Sequence, residues 1–522
     1  MPNDSGESII SSNGTTPDGI GGAFKPSLWI ALGNLLSRLL SFAGDAVKSH
    51  YFGAGGVVDA FNVAAAVPTL LSDLVIKSLV DSAAIPVFSE CSKEDLWPLA
   101  TALLNLTGIV VTGAVVLMEG FAPRLVSLIS GGSPPDVQAL TVNLLHLTLP
   151  VLLILNFSGI LSALLYVRRR IILPTVAGTV FNGVIVVVAV SLQARLGIFA
   201  LALGLLLGAL VQTAVQLAGL RGLPWRYHLL FWHPGVRQIA ILYFPILVGL
   251  LAEVFLSRPV TYALASRTGE GGISWMTYAL TLRQLPEGLI ATALSVTVLV
   301  RLSAEKNPQA FRSTLVYGLR LAMLLILPAG VGLLLLARPV TALLFEHGSF
   351  TASDTRITAF ALQWYVGGLP FSTIDLLLVV AFYARHNTWT PAAIGLCCTL
   401  LYMALAALLL PRFGLNSIMF ADSVRYVVHM LLCALILFPA LGGLADPGAF
   451  RTLLHTLIAS AIMGLTVGVV SQALVPGESL IPRLMDVGIS ILSGLVVYGG
   501  VLAVLSTDDL RLILSLVRGN RR

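Results

Sequence analysis

The chain has 522 residues, 57% of them hydrophobic and only 11% charged, with a formal net charge of +6. A soluble protein is about 25% charged, so a water-soluble enzyme, a disordered chain and a fibre are excluded, and lipid must serve as solvent. On such a chain the net charge says nothing of nucleic acid, and none is expected as a partner. The placement of the cations carries the information instead.

The first stretch is rich in Ser, Gly, Asn and Asp. It has no basic segment followed by an apolar one, so residues 1–25 read as a disordered cytoplasmic tail rather than a signal peptide. Apolar windows then follow at 27–47, 57–80, 97–118, 138–166, 172–193, 197–219, 238–265, 273–300, 313–336, 356–383, 390–410, 415–438, 452–474 and 485–506. A membrane-barrel strand has about ten alternating residues, whereas a spanning helix needs about 20 apolar ones. These windows are long and do not alternate. The expectation is an all-α polytopic membrane protein of about 14 transmembrane helices.

With the N-terminus in the cytoplasm, seventeen Lys and Arg fall in cytoplasmic segments. Seven fall in outer ones: Lys48, Arg124, Arg195, Arg267, Arg338, Arg412 and Arg483. That bias predicts both termini inside.

The chain also repeats at an offset near 217. Gly53-Ala54-Gly55-Gly56 recurs as Gly269-Glu270-Gly271-Gly272. Leu149-Pro150 recurs as Leu369-Pro370, and Tyr166-Val167-Arg168 with Pro174 recurs as Tyr383-Ala384-Arg385 with Pro391. A repeat of six spans has the same topology in both copies, as in parallel-repeat transporters. The expected organisation is an N-terminal six-helix lobe (26–222), a C-terminal six-helix lobe (223–440), two extra helices (441–508) and a basic cytoplasmic tail (509–522).

Ionisable groups inside spans are expensive and usually face a cavity or a partner. The cations so placed include Arg38, Lys77, Arg258 and Arg283. The acids include Asp45, Asp59, Asp73, Asp81 and Glu287. Asp73, Lys77 and Asp81 stand at i, i+4 spacing, as do Arg283 and Glu287 around Pro286, so each set can self-neutralise. Arg38 has no acid at i±3 or i±4, and Arg258-Pro259 interrupts the seventh window much as Pro286 does the eighth. Cys91, Cys397, Cys398 and Cys433 form no CxxC pair, so neither a disulfide framework nor a metal site is expected. There is no P-loop, G-x-S-x-G or HExxH. Neither an enzyme nor a cofactor is expected.

The stretch SRLLSFAGDAVKSHYFGAGGVVDAF from Ser37 to Phe61 resembles the opening motif of the MurJ (MviN) lipid II flippases, within the multidrug/oligosaccharidyl-lipid/polysaccharide exporter superfamily. Further matches are Gln284-Leu285-Pro286-Glu287-Gly288, Leu343 to Thr351 (LLFEHGSFT), and Phe382 to Asn387 followed by Thr390-Pro391. The resemblance implies fourteen helices in two lobes plus two, the last two forming a groove for the lipid tail. It implies transport of lipid II, a polyprenyl pyrophosphate bearing a disaccharide-pentapeptide, across the bacterial cytoplasmic membrane for cell-wall synthesis. Membrane lipids and cell-wall enzymes are the implied surroundings, with the protein a monomer.

A pyrophosphate cannot cross hydrocarbon unshielded, and cations suit it. The residues expected around it are Ser37, Arg38, Lys77, Arg258 and Arg283, with Asp45, Asp59, Asp73 and Glu287 as cavity or gating acids. Three positions where the family carries arginine hold Gly44, Ser72 and Thr281 instead. The positions matching a sodium site in some members are Thr261, Tyr402 and Ala406, which offer no carboxylate. Two alternatives therefore stand beside lipid II transport: transport of another polyprenyl-pyrophosphate glycan, or a non-transporting lipid-binding or scaffold role.

Overall fold

The computed structural model describes residues 19–92, 94–221, 229–443, 447–474 and 479–518. Among these, every regular element is helical. Residues 1–18 of the expected N-terminal tail and 519–522 of the C-terminal one lie outside the described residues. The parts of those tails that are described are helical.

The first half of the chain folds as α1 (Gly19–Phe52), α2 (Gly56–Glu90), α3 (Leu96–Gly120), the short α4 (Ala122–Ser130), α5 (Pro135–Val167), α6 (Ile172–Leu196) and α7 (Phe199–Gly219). The second half begins with α8 over 234–266, in which Pro234–Ala252 passes through a π turn at Glu253–Ser257 into Arg258–Ser266. It continues as α9 (Gly272–Ala304), α10 (Pro308–Leu335), the short α11 (Ala337–Phe345), α12 (Ala352–Gly367), α13 (Leu369–Ala384), α14 (Trp389–Phe413) and α15 (Asn416–Ala440). The chain ends with α16 (Pro447–Ala473), α17 (Leu480–Leu505) and the amphipathic α18 (Thr507–Arg518).

Prolines open α5 and α10, where the missing N–H costs no hydrogen bond. Thr351 and Asp354 close a reciprocal capping box on α12. α12 and α13 meet at a 41° bend.

Among the described residues, eleven helices are long and apolar enough to cross a membrane, or twelve if the bent α12–α13 pair is one span. The windows at 27–47 and 238–265 are helical, as α1 and α8, but are not among those twelve. The exact count of fourteen is therefore not established, although the all-helical membrane architecture is.

The backbone repeats at the offset read from the sequence. Arg169 and His386, 217 residues apart, both adopt left-handed conformations with φ of 59° and 58°. Gly197 and Gly414, also 217 apart, share φ of 55° and 52° and end α6 and α14 in the same way. The short α4 and α11 each follow the third helix of their half. Within the first half, α6 packs on α7 and α1, and α5 on α2, α3 and α7. In the second, α14 packs on α15, and α13 on α10 and α15. The final pair joins the second half, α16 along α10 and α17 against α11. Apolar side chains on α16 and α17, such as Leu465, Val469, Leu492 and Val496, are exposed. Where lipid is the solvent, such exposure costs nothing.

Candidate functional site: a polar cavity between the two halves

A cavity of about 320 Å³ opens between α1, α2, α6 and α7 of the first half and α8 and α9 of the second. Its polar lining comes from Ser41, Asp45, Lys48, Asn62, Thr69, Asn182, Tyr262 and Thr277. Lys48 is its only lining cation among the described residues. The ammonium lies 2.8 Å from Asp45 Oδ1, donates to Asn62 Oδ1 at 3.2 Å and sits 5.0 Å from the centre of the Tyr278 ring. The residue is 5% exposed. A cation so buried must be paired, and the carboxylate, amide and ring face provide for it.

The position of Lys48 corrects the sequence expectation, which placed it in an outer loop. The apolar window ends at Val47, but α1 continues to Phe52. The Asp45-x-x-Lys48 spacing was the signal available, since i and i+3 share a helix face.

Of the nine residues expected at the site, only Asp45 lines this cavity. Its other oxygen accepts a 3.4 Å hydrogen bond from Thr281, one of the three positions where arginine was expected. Gly44, another of them, lines the wall without a side chain to fill it. Ser37 lies one layer behind, its hydroxyl accepting from the lining Asn182 at 3.0 Å. Arg38 is on the same helix and exposed, with its guanidinium against the backbone of Gly288, where any Cβ would collide with it. It thus reaches from the first half to the second.

The remaining residues are elsewhere. Asp73 and Lys77 are exposed on α2, and they and Asp81 form no ion pair within 4.0 Å among the described residues. Here α2 widens into π turns at Leu71–Ile76 and Val80–Ala84. The widening shifts the stacked neighbour from i+4 toward i+5, so no close ion pair forms, although the charge of Lys77 still acts on both acids. Arg258 lies in α8, its charge acting on Tyr262, Tyr365 and Tyr402.

Arg283 does not line this cavity. It is 2% exposed, 2.6 Å from Asp422 Oδ2 and 3.7 Å from Glu287, and stacked over Tyr426 at 4.9 Å. Arg425 holds the other oxygen of Asp422 at 2.8 Å. Arg283 and Glu287 therefore belong to a network inside the second half. Thr261 and Tyr402, raised in connection with sodium, hydrogen-bond to each other at 2.7 Å.

Asp59 has a different role from a cavity acid. It is 2% exposed and accepts from Gly271 N and Ser274 N at 2.7 Å each and from Ser274 Oγ at 2.6 Å. Those are the first amides of α9, so a first-half carboxylate caps a second-half helix. Beside it, Tyr278 OH donates to Gly53 O at 3.1 Å, and Ser349 N donates to His50 O at 2.8 Å. Gly53 (φ 68°) and Gly348 (φ 62°) allow the two turns to meet without side chains between them. The end of the cavity near these turns is closed by that seam.

Two repeated helical halves, joined by a seam at one end and separated by a polar cavity, define a two-lobed membrane transporter. A family model described as lipid II flippase MurJ matches residues 48–482. The chain belongs to that family. It is 28% identical over 393 residues to the lipid II flippase MurJ of Burkholderia cenocepacia, covering 72% of this chain and 75% of the relative. With a probable lipid II flippase MurJ of Aquifex aeolicus the figures are 27% over 456 residues, covering 84% and 88%. A solved structure of a lipid II flippase MurJ in an inward closed conformation superposes with a TM-score of 0.80 at 23% identity, covering 93% of this chain and all of the other. An inward-facing MATE multidrug transporter of the MOP superfamily shares the fold at a TM-score of 0.68 and 16% identity, covering 78% of this chain and 96% of that one.

Proposed function

We infer that this chain flips lipid II, the lipid-linked peptidoglycan precursor, from the inner to the outer leaflet of the bacterial cytoplasmic membrane by alternating access. The observation that carries the reading is membership of the lipid II flippase family over residues 48–482. The cavity between the halves supplies the chemistry. Lys48, released from Asp45, meets the pyrophosphate, and Arg38 approaches from the same helix. The anion competes with Asp45 for the ammonium, so the carboxylate acts as an internal placeholder that holds the cation while no cargo is bound. A volume of about 320 Å³ suits a pyrophosphate but not a disaccharide-pentapeptide. The halves must therefore part to admit the head group, while the polyprenyl tail stays in lipid along α16 and α17. Both termini lie in the cytoplasm on the Lys/Arg bias, and the protein works as a monomer alongside cell-wall enzymes.

A second reading, transport of another polyprenyl-pyrophosphate glycan, is favoured by Gly44, Ser72 and Thr281 at expected arginine positions. Binding of purified protein to lipid II, competed by undecaprenyl pyrophosphate and by lipid-linked glycans of other head groups, separates the two. Lipid II should bind best. Equal or tighter binding of another glycan moves the assignment to the second reading.

A further inference from the structure

Away from the cavity, α13, α14 and α15 enclose a cluster of three different donor types. His429 Nδ1 lies 2.6 Å from Asp375 Oδ1 and 3.6 Å from Cys433 Sγ. The three donor atoms all fall within 4.8 Å of one another. The opposite ring nitrogen, Nε2, is 3.3 Å from the carbonyl oxygen of Pro391. A carbonyl only accepts, so Nε2 carries a proton and donates. In a neutral imidazole Nδ1 is then a bare lone pair, pointed at a carboxylate and a sulfur. Two lone-pair atoms at 2.6 Å need a cation between them, either a proton or a metal ion. We propose that Asp375, His429 and Cys433 form a binding site for a zinc-class divalent metal ion inside the second half.

Three arguments favour the metal. The first is geometry. Tetrahedral zinc, with bonds of about 2.0–2.1 Å to nitrogen and about 2.3 Å to sulfur, sets those ligands about 3.5 Å apart, matching the Cys433–His429 separation of 3.6 Å. Asp375 must retreat by somewhat under 1 Å to leave room for the ion, a small change for a terminal carboxyl torsion. The second is charge. One thiolate, one carboxylate and one neutral imidazole balance a divalent ion, which suits an apolar interior. Binding releases the thiol proton, and any proton shared by Asp375 and His429, to solvent. The third is orientation. A backbone carbonyl on the far ring nitrogen is the usual outer partner of a metal-bound histidine, and Pro391 supplies it from a third helix. Cys433 is fully buried, while the Asp375 and His429 side chains are 10% and 12% exposed, so the fourth position is open to a water and to entry of the ion. The site pins α13 to α15 and is separate from the transport cavity.

The test uses the full-length purified protein in detergent, stripped with a chelator and titrated with Co²⁺. Wild type should bind about one ion per chain and show a thiolate-to-cobalt charge-transfer band with intense visible bands of tetrahedral coordination. Cys433→Ser should lose the charge-transfer band, and His429→Gln should weaken binding at least about tenfold. A Cys91→Ser/Cys397→Ser/Cys398→Ser variant keeps all three proposed ligands, although Cys398 stands near Asp375 and Cys433, and should keep the band, which decides the matter even if Cys433→Ser does not fold. Absence of the band in wild type, its persistence in Cys433→Ser, or its loss in the triple variant would overturn the proposal. In that event the Asp375–His429 pair holds a proton.

Discussion

Lys48 and Arg283 are both buried cations in membrane helices, yet their partners send them to different tasks. Lys48 faces a cavity and shares its charge with one carboxylate, an amide and a ring. Lys48→Gln keeps much of the volume and removes the charge. It should lower the rate of lipid II flipping at least about tenfold, equivalent to about 1.4 kcal/mol; a flipping assay in proteoliposomes holding equal amounts of folded protein checks it. Arg283 is locked to Asp422 and Glu287 inside the second half. Removing one member of a buried pair costs about 3 kcal/mol, and here Arg425 still holds Asp422. Arg283→Met should therefore destabilise the protein by about that amount, read as a lower melting temperature in detergent. The sequence marks Arg283 as an intramembrane charge but places Lys48 in an outer loop. It could not say which faced the cavity, because that depends on helices more than a hundred residues away.

At the scale of elements, the long helices were legible because apolar windows of twenty or more residues allow nothing else in lipid. Their ends were less so. α1 runs past Lys48, and the described part of the expected basic tail, 509–518, belongs to helix α18. Its anchor is Asp509, 2% exposed, which lies 2.9 Å from Arg320 Nη2, accepts from Thr452 Oγ1 at 2.7 Å and lies 3.1 Å from His455 Nδ1. Burial pushes this carboxyl upward, but the hydrogen bonds from Thr452, His455 and Arg320 outweigh it and hold the group below the usual carboxylate range. A depressed acid contributes stability above its unfolded value and loses it as pH falls through the folded one. Release of α18, followed by limited proteolysis of the C-terminus, should stay flat from about pH 7 to about pH 5 and rise only below about pH 4. Asp509→Ala should show the released pattern at neutral pH. Asp59 caps α9 across the seam, so Asp59→Ala leaves the Gly271 and Ser274 amides without a carboxylate, at about 1–2 kcal/mol. A cysteine introduced by Ser349→Cys should then react faster with a membrane-impermeant thiol reagent than in the Asp59 background.

For the whole molecule, the repeat offset of 217 read from short motifs recurs in the backbone, at Arg169 and His386 and at Gly197 and Gly414. Those four positions were not among the motifs read from the sequence; the backbone adds them at the same offset. The way the halves touch was not legible in the sequence. Asp59 was readable as an intramembrane acid, but its partners Gly271 and Ser274 lie more than two hundred residues on, in the other half. On the proposed alternating-access reading the two halves are the moving parts. The account then predicts that locking them stops transport. A bacterium whose own lipid II flippase can be switched off, carrying this chain or its Lys48→Gln variant at equal membrane abundance, tests the central claim most directly. Survival with the wild type and lysis with the variant is the expected result. Lysis with both, when the wild type is folded in the membrane, would contradict lipid II transport by this chain.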